Sequence, residues 1–169
     1  MSGQSIDSER IRELADREAI RELLHRYCFA IDRGTGADVM ALFAPECELE
    51  VVPGDTHRGR AAVAKWYDSL TRKRMQVLRH QAHNQIIDID GDRAFAQAYW
   101  DVTGDLNGES MVSAGFYEDS VQRCADGWKF VKKRILIDYM GPLRDGWAGP
   151  RRIRSRLLGE LRDGIDGWR

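Results

Sequence analysis

The main hydrophobic repeat of this chain changes near residue 75, and that change limits the folds that the chain can adopt. Up to residue 70, apart from one alternating run at 47–52, apolar side chains recur every three to four residues, which is the spacing of one helix face. The pattern predicts a long first helix that begins at Asp7 or Ser8, ends near Asp32 and is stopped by Gly34. Two shorter helices are predicted at 37–43 and 60–70, with a strand at 47–52 between them.

Beyond residue 75 the repeat shortens to two residues, as expected of strands with one buried face. Four strands are predicted, at 76–89, 93–103, 110–123 and 128–139. The turns between them fall at 90–92, 104–108 and 126–127. The first and last turns contain Asp-Gly, a pair that favours hairpins because its glycine accepts a positive φ. Helices followed by consecutive hairpins predict an α+β fold, with a curved antiparallel sheet and helices on one face.

Size and composition narrow the class of protein. The 169 residues suit a single domain, which we assign to 1–140, followed by a C-terminal extension at 141–169 with a short helix at 151–161. The net charge of -1 argues against electrostatic binding to nucleic acid or to an anionic membrane, and no apolar run reaches the roughly 20 residues of a membrane span. The three cysteines are odd in number and far apart, which favours a reducing compartment over disulfides. We therefore expect a cytoplasmic protein.

One carboxylate and one imidazole are the main candidates for chemistry. Asp32 ends the first helix, and His80 lies on the first long strand. A buried aspartate that accepts a hydrogen bond from one ring nitrogen of a histidine fixes the tautomer and leaves the other nitrogen free to take a proton. The residues alone favour a plainer alternative, in which both side chains lie in solvent. His83 is three residues from His80 and so points to the opposite face of the strand, which argues against a shared metal site.

Other polar residues leave the choice between a site and a structural role open. Tyr27 lies on the apolar face of the first helix, either as a core residue or as a donor to an oxyanion in a cavity. Tyr99 and Asp101 share one face of a strand, which either lines a polar cavity or faces water. Lys133 and Arg134 interrupt an apolar strand, where they either hold an anion or substrate oxygen or lie on a solvated face.

Five sequence runs together carry a family resemblance. They are IRELADREAIRELLHRYCFAIDRG, LFAPECELEV, HRGRAAVAKWY, LRHQAHNQIIDIDGDRAFAQAYW and GFYEDSVQRCADGWKFVKKR. In order and spacing these runs resemble the SnoaL-like family, which belongs to the superfamily of nuclear transport factor 2, ketosteroid isomerase and scytalone dehydratase. The resemblance covers 11–134. It implies a cone-shaped α+β fold in which three N-terminal helices pack on the concave face of a curved, mixed sheet.

Within that superfamily, the chain resembles bile-acid 7α-dehydratase and hexachlorocyclohexane dehydrochlorinase in particular. The resemblance implies that Asp32 and His80 form a general-base dyad and that Tyr27 is catalytic. These enzymes have a second acidic residue on the next strand, and the resemblance places it near Asp101 in this sequence. Lys133 stands where the dehydrochlorinases have an arginine, with Arg134 beside it, and this departure disfavours removal of a halide.

These observations lead us to expect a lyase that needs neither cofactor nor metal and removes water, a halide or formaldehyde from a hydrophobic, oxygenated ring substrate. We expect a pocket between the helices and the sheet, walled by aromatic side chains and supplied with polar contacts. The predicted walls are Trp66, Phe43, Trp100 and Phe116, and the predicted contacts are Asp101, Tyr99, His83, Lys133 and Arg134. Two alternatives remain open: an isomerase that uses the same dyad, and a binding module without catalysis.

The partners expected are a small-molecule substrate and further copies of the chain. An apolar outer face of the curved sheet favours a homo-oligomer. The resemblance to the dehydratases implies a trimer, although other branches of the superfamily form dimers. The extension at 141–169 then either closes a pocket or contacts a neighbouring copy.

Overall fold

A computed structural model describes residues 3–70, 75–106 and 108–145. Three helices come first among these residues, and most of the strands follow. The helices are α1 (Gly3–Arg33), α2 (Gly36–Met40) and α3 (Arg60–Leu70). The strands are β1 (Phe43–Val52), β2 (Thr56–Arg58), β3 (Met75–Asp90), β4 (Arg93–Leu106), β5 (Glu109–Cys124) and β6 (Gly127–Pro142). A 3₁₀ turn at Leu143–Asp145 follows β6.

The six strands form one mixed sheet in the order β2-β1-β6-β5-β4-β3. β3 to β6 are consecutive antiparallel hairpins, whereas β1 pairs with β6 in parallel. Gly91 and Gly127 have φ values of 59° and 110° in the two Asp-Gly turns, so both turns have the backbone conformation that favours glycine. The predicted α+β fold, with a curved, mixed sheet, is confirmed.

The helices cover one face of the sheet, which we call the inner face. α1 packs on β3 and β6, and α3 packs on β1. The core between these layers contains the fully buried side chains of Ile20, Leu24, Val63, Tyr67 and Phe130. The opposite, outer face carries an ion-pair network of Arg58, Glu48, Glu50, Lys132, Arg134 and Glu118.

The largest departure from the predicted boundaries lies between α2 and β1. The helix predicted at 37–43 ends at Met40, because Phe43 already belongs to β1 and the N–H of Phe130 donates to the Leu42 carbonyl at 3.0 Å. β1 therefore begins four residues before the predicted start at 47. The short strand β2 was not predicted, and β4 runs through the expected turn at 104 as far as Leu106. The helix predicted at 151–161 lies outside the described residues.

Bulges in β3 and β6 determine which side chains reach the inner face. In β3 the register shifts between His83 and Ile86, where Asn84 has a φ of 55°. In β6 it shifts twice, opposite the steps Ser120/Val121 and Ala114/Gly115 of β5. Each extra residue reverses the alternation of side chains that follow it. As a result, Lys133 lies on the same face as Phe130, although a spacing of three positions places side chains on opposite faces of a regular strand.

Candidate active site

A cavity of about 600 Å³ lies between the C-terminal part of α1, α3 and the inner face of the sheet. Most of its wall is aliphatic or aromatic. The apolar lining residues are Ile31, Val51, Trp66, Leu70, Leu78, Trp100, Val102, Met111, Ile135, Ile137 and Met140. Polar side chains are fewer: Tyr27, Asp32, Arg33, Thr35, His80, Ser113 and Tyr117. An apolar enclosure with a few polar groups is the usual form of a small-molecule site.

Asp32 and His80 meet in this cavity. The Asp32 Oδ1 lies 2.6 Å from the His80 Nδ1, and the His80 backbone N–H donates to Asp32 Oδ2 at 2.8 Å. Both side chains are largely buried. Since the carboxylate occupies Nδ1, the ring nitrogen left for chemistry is Nε2. The contact that the resemblance implies is therefore present between residues 48 positions apart.

A second pair of groups joins α1 to α3. The hydroxyl of Tyr67 donates to the hydroxyl of Tyr27 at 3.1 Å, and both residues are buried. Because Tyr27 accepts this bond, its own proton is available for donation to another acceptor. Burial raises the pKa of both tyrosines above the usual value, so both are neutral donors near pH 7. Tyr67 was not predicted as a site residue, although its spacing of four from Val63 places it on the buried face of α3.

Behind the tyrosines lies a buried ion pair that the sequence analysis also missed. The Lys133 Nζ donates to Asp119 Oδ2 at 2.8 Å, and neither side chain has any solvent exposure. Burial raises the pKa of Asp119 to about 6 and lowers that of Lys133, while each partner opposes the shift of the other. Asp119 could have been found from the alternation of buried side chains along β5. Every second residue faces inward, and this places Asp119 between Tyr117 and Val121 on the inner face.

Three predicted substrate contacts lie on the outer face of the sheet and do not line the cavity. Trp100 and Val102 point inward, so their neighbours along β4, Tyr99 and Asp101, point outward. His83 Nε2 lies 2.7 Å from Asp101 Oδ2, and the His83 ring stacks on Tyr99 at 6.0 Å between centroids. The side chains of His83 and Asp101 are 44% and 43% exposed. The expectation that these three contact a substrate in this cavity is therefore corrected.

Two further predicted contacts and two predicted walls also lie away from the cavity, whereas the other two predicted walls line it. Arg134 bonds to Glu50 and Glu118 on the outer face, and Lys133 is buried behind the tyrosines. Phe43 packs in the core against Tyr67 and Phe130, and Phe116 faces outward beside Tyr99. Trp66 and Trp100 line the cavity as predicted. Tyr117, one residue beyond the predicted Phe116, lines it too, because the odd-numbered residues of β5 face inward.

Within residues 3–70, 75–106 and 108–145, no group of three or more His, Cys, Asp or Glu side chains has the arrangement of a metal site. None of the helices in the same ranges is both long enough and apolar enough to cross a membrane.

Two solved structures of other proteins are similar to this chain in fold. A candidate scytalone dehydratase from Novosphingobium aromaticivorans has a TM-score of 0.72 at 21% identity, covering 77% of this chain and 89% of that one. The hexachlorocyclohexane dehydrochlorinase LinA-type3 from Novosphingobium barchaimii has a TM-score of 0.71 at 20% identity, covering 85% and 98%. At 21% and 20% identity, these likenesses show that this chain shares the fold of both proteins.

Residues 12–134 match the family of SnoaL-like domains, and the chain belongs to this family. An uncharacterised protein of Mycobacterium tuberculosis is 26% identical over 133 residues, covering 73% of this chain and 86% of that protein.

Proposed function

We propose that this protein is a lyase that eliminates a small leaving group by general-base catalysis, without cofactor or metal. The observation that carries the proposal is the contact of 2.6 Å between Asp32 and His80 in a cavity with largely apolar walls. In solvent, such a contact with a carboxylate would have little effect on the imidazole of a histidine. In a cavity of this kind, a fixed imidazole can act on a bound carbon acid.

In the proposed reaction, His80 Nε2 takes a proton from a substrate carbon. The electron pair of the broken C–H bond forms a C=C bond, and the leaving group departs from the adjacent carbon with its own electron pair. When the leaving group is hydroxide, the imidazolium returns the proton to it, so that water leaves and His80 is neutral again. Asp32 holds the imidazole in place and stabilises its positive charge during the step.

Tyr27 supplies the second element of the proposed mechanism. Removal of a proton next to a carbonyl or phenol places negative charge on that oxygen. The Tyr27 hydroxyl accepts from Tyr67 and can donate its own proton to this oxygen. A hydrogen bond that strengthens as the charge develops lowers the barrier more than it stabilises the bound substrate.

The cavity favours a hydrophobic ring substrate that carries at least one oxygen. Its volume of about 600 Å³ is in the range of ordinary ligand sites, and its walls include Trp66 and Trp100. Hydroxylated steroids, polyketides and lignin-type aromatics meet these requirements. Water is the first leaving group to test. One structural relative is a candidate dehydratase and another a dehydrochlorinase. Lys133, which stands where the dehydrochlorinases have an arginine, does not line the cavity, and this departure disfavours a halide.

The test is incubation of the full chain with a panel of hydroxylated steroids, polyketides and lignin dimers, followed by product mass measurement. A product lighter by water or hydrogen halide establishes this elimination and identifies the leaving group. Loss of formaldehyde would establish a lyase that takes the proton from a CH₂–OH group and leaves the electron pair of the broken C–C bond on the substrate. The matched control is His80→Gln, which keeps a planar polar side chain but cannot act as a base. A product of unchanged mass with altered retention would instead establish an isomerase, and tight binding without turnover a binding module.

A further inference from the structure

The ion pair between Lys133 and Asp119 needs an explanation beyond stability. Both side chains are 0% exposed and lie 2.8 Å apart. A buried ion pair contributes little net stability, because the cost of removing two charges from water offsets their attraction. The second carboxylate oxygen, Asp119 Oδ1, is buried and makes no hydrogen bond to any residue that the structure describes, so the solvation of this acid is incompletely replaced.

The position of the ammonium group connects this pair to the cavity. Lys133 Nζ lies 4.1 Å from the ring centroid of Tyr27 and 3.8 Å from that of Tyr117. Both tyrosines line the cavity, whereas Lys133 does not. The positive charge is thus separated from a bound substrate by one layer of aromatic rings. At this distance a desolvated cation interacts strongly with the electrons of the ring.

We propose that Lys133, held by Asp119, is a positioning residue that makes the Tyr27 hydroxyl a stronger hydrogen-bond donor toward the substrate oxygen. This inference rests on the role of Tyr27 in the proposed function. When Tyr27 donates to an oxygen that is becoming negative, electron density builds up on the phenol ring. A fixed cation about 4 Å from that ring stabilises the charged state more than the uncharged one.

Asp119 has the complementary task of keeping the lysine charged. Burial alone lowers the pKa of Lys133, and the neighbouring carboxylate opposes that effect. Other titratable groups lie around the pair on each packed element. They are Tyr27, Cys28 and Asp32 on α1, Tyr67 on α3, and Tyr117 and Glu118 on β5. Burial raises the pKa of the Cys28 thiol to about 11, so this group adds no charge near pH 7.

The test measures the acidity of residue 27 directly and needs no substrate. 2,3,5-Trifluorotyrosine, a more acidic phenol than tyrosine, is incorporated at position 27 and its ionisation is followed by ¹⁹F NMR. The comparison is between the otherwise unchanged chain and Lys133→Met/Asp119→Leu, which replaces the ion pair by apolar side chains of similar size. We expect the pKa of residue 27 to rise in this variant, because the ammonium group 4.1 Å from the ring has a larger effect than the Asp119 carboxylate, whose charge acts in the opposite direction.

Lys132→Met is the matched control. It removes the neighbouring lysine, which bonds to Glu48 and Glu50 on the outer face, and should leave the pKa of residue 27 unchanged. If the apolar pair does not fold, Lys133→Gln/Asp119→Asn makes the same test with a neutral hydrogen-bonded pair. A pKa that stays the same or falls in the neutral-pair variant overturns the inference, whatever the substrate panel gives.

The titration also separates this inference from the proposed reaction. If residue 27 responds as expected but no compound is turned over, the lyase proposal fails and the electrostatic effect of Lys133 on Tyr27 stands. If a substrate is found, the neutral-pair variant should lose about tenfold or more in kcat with little change in KM, because the effect is confined to the charged state.

Discussion

Replacement of Asp32 by asparagine should reverse the tautomer of His80. Among the described residues, Asp32 accepts two hydrogen bonds from His80: one from its backbone N–H at 2.8 Å and one from Nδ1 at 2.6 Å. Asparagine offers one oxygen and one NH₂ group. The backbone N–H can only donate, so it takes the oxygen, and the NH₂ group then faces Nδ1. Nδ1 must accept, which moves the ring proton to Nε2 and blocks the base.

The expected loss of activity can be worked out from the same geometry. The carboxylate charge also stabilises the imidazolium formed during proton abstraction. With the charge centres about 4 Å apart and an effective dielectric constant of about 20, that stabilisation is about 4 kcal/mol. Each 1.36 kcal/mol corresponds to about a factor of ten in rate, so we expect kcat of Asp32→Asn to fall by about a thousandfold.

The tautomer is measured by long-range ¹H–¹⁵N correlation spectra of histidine-labelled protein, at a pH where the rings are neutral. The His80 signals are assigned by their loss in His80→Gln. We expect the proton on Nδ1 in the wild type and on Nε2 in Asp32→Asn. The same tautomer in both proteins would contradict the role given to Asp32, as would undiminished turnover by the variant.

Three further substitutions test the packing of the sheet, an ion pair of α1 and the role of Tyr27. Gly115→Ala should destabilise the fold by about 2–3 kcal/mol in urea unfolding, since a Cβ there would lie 1.9 Å from the Leu136 carbonyl oxygen; unchanged stability would contradict the close strand packing. Asp16→Asn should cost about 1–3 kcal/mol at pH 7, because the carboxylate accepts from Arg123 at 2.6 Å. That bond holds the pKa of Asp16 below its usual value, so its contribution is present above about pH 4 and lost in more acidic solution, where the two proteins should converge. Tyr27→Phe should lower kcat by about a hundredfold without loss of far-UV circular dichroism, and equal kcat would exclude Tyr27 as a donor.

The elements that local signals define could be predicted from the sequence. The apolar spacing of 60–70 predicted α3 with its observed ends, and the two Asp-Gly turns predicted hairpins that are present. The end of α2 and the start of β1 depend instead on the parallel pairing with β6, a contact between distant parts of the chain. Neighbouring residues carry no signal for such a pairing, so β1 was predicted too short.

The residues of the candidate site could likewise be predicted only in part. The residues alone favoured an exposed Asp32 and His80, and only the family resemblance implied that they meet. The inward or outward direction of Lys133 depends on a bulge in β6 that no local motif marks. Phe116 was a different error: simple alternation from Tyr117 already places it on the outer face. The homotrimer, the cytoplasmic location and the role of the extension at 141–169 stay predictions.

The kcat of His80→Gln on a compound that the wild type converts tests most directly whether His80 is the general base. His80 is the only group assigned the task of removing a proton, and a well-placed general base contributes about 10²–10⁴ in rate. We expect a loss of at least about a hundredfold, with the far-UV circular dichroism spectrum and thermal midpoint of the wild type. Turnover close to that of the wild type would contradict this role of His80.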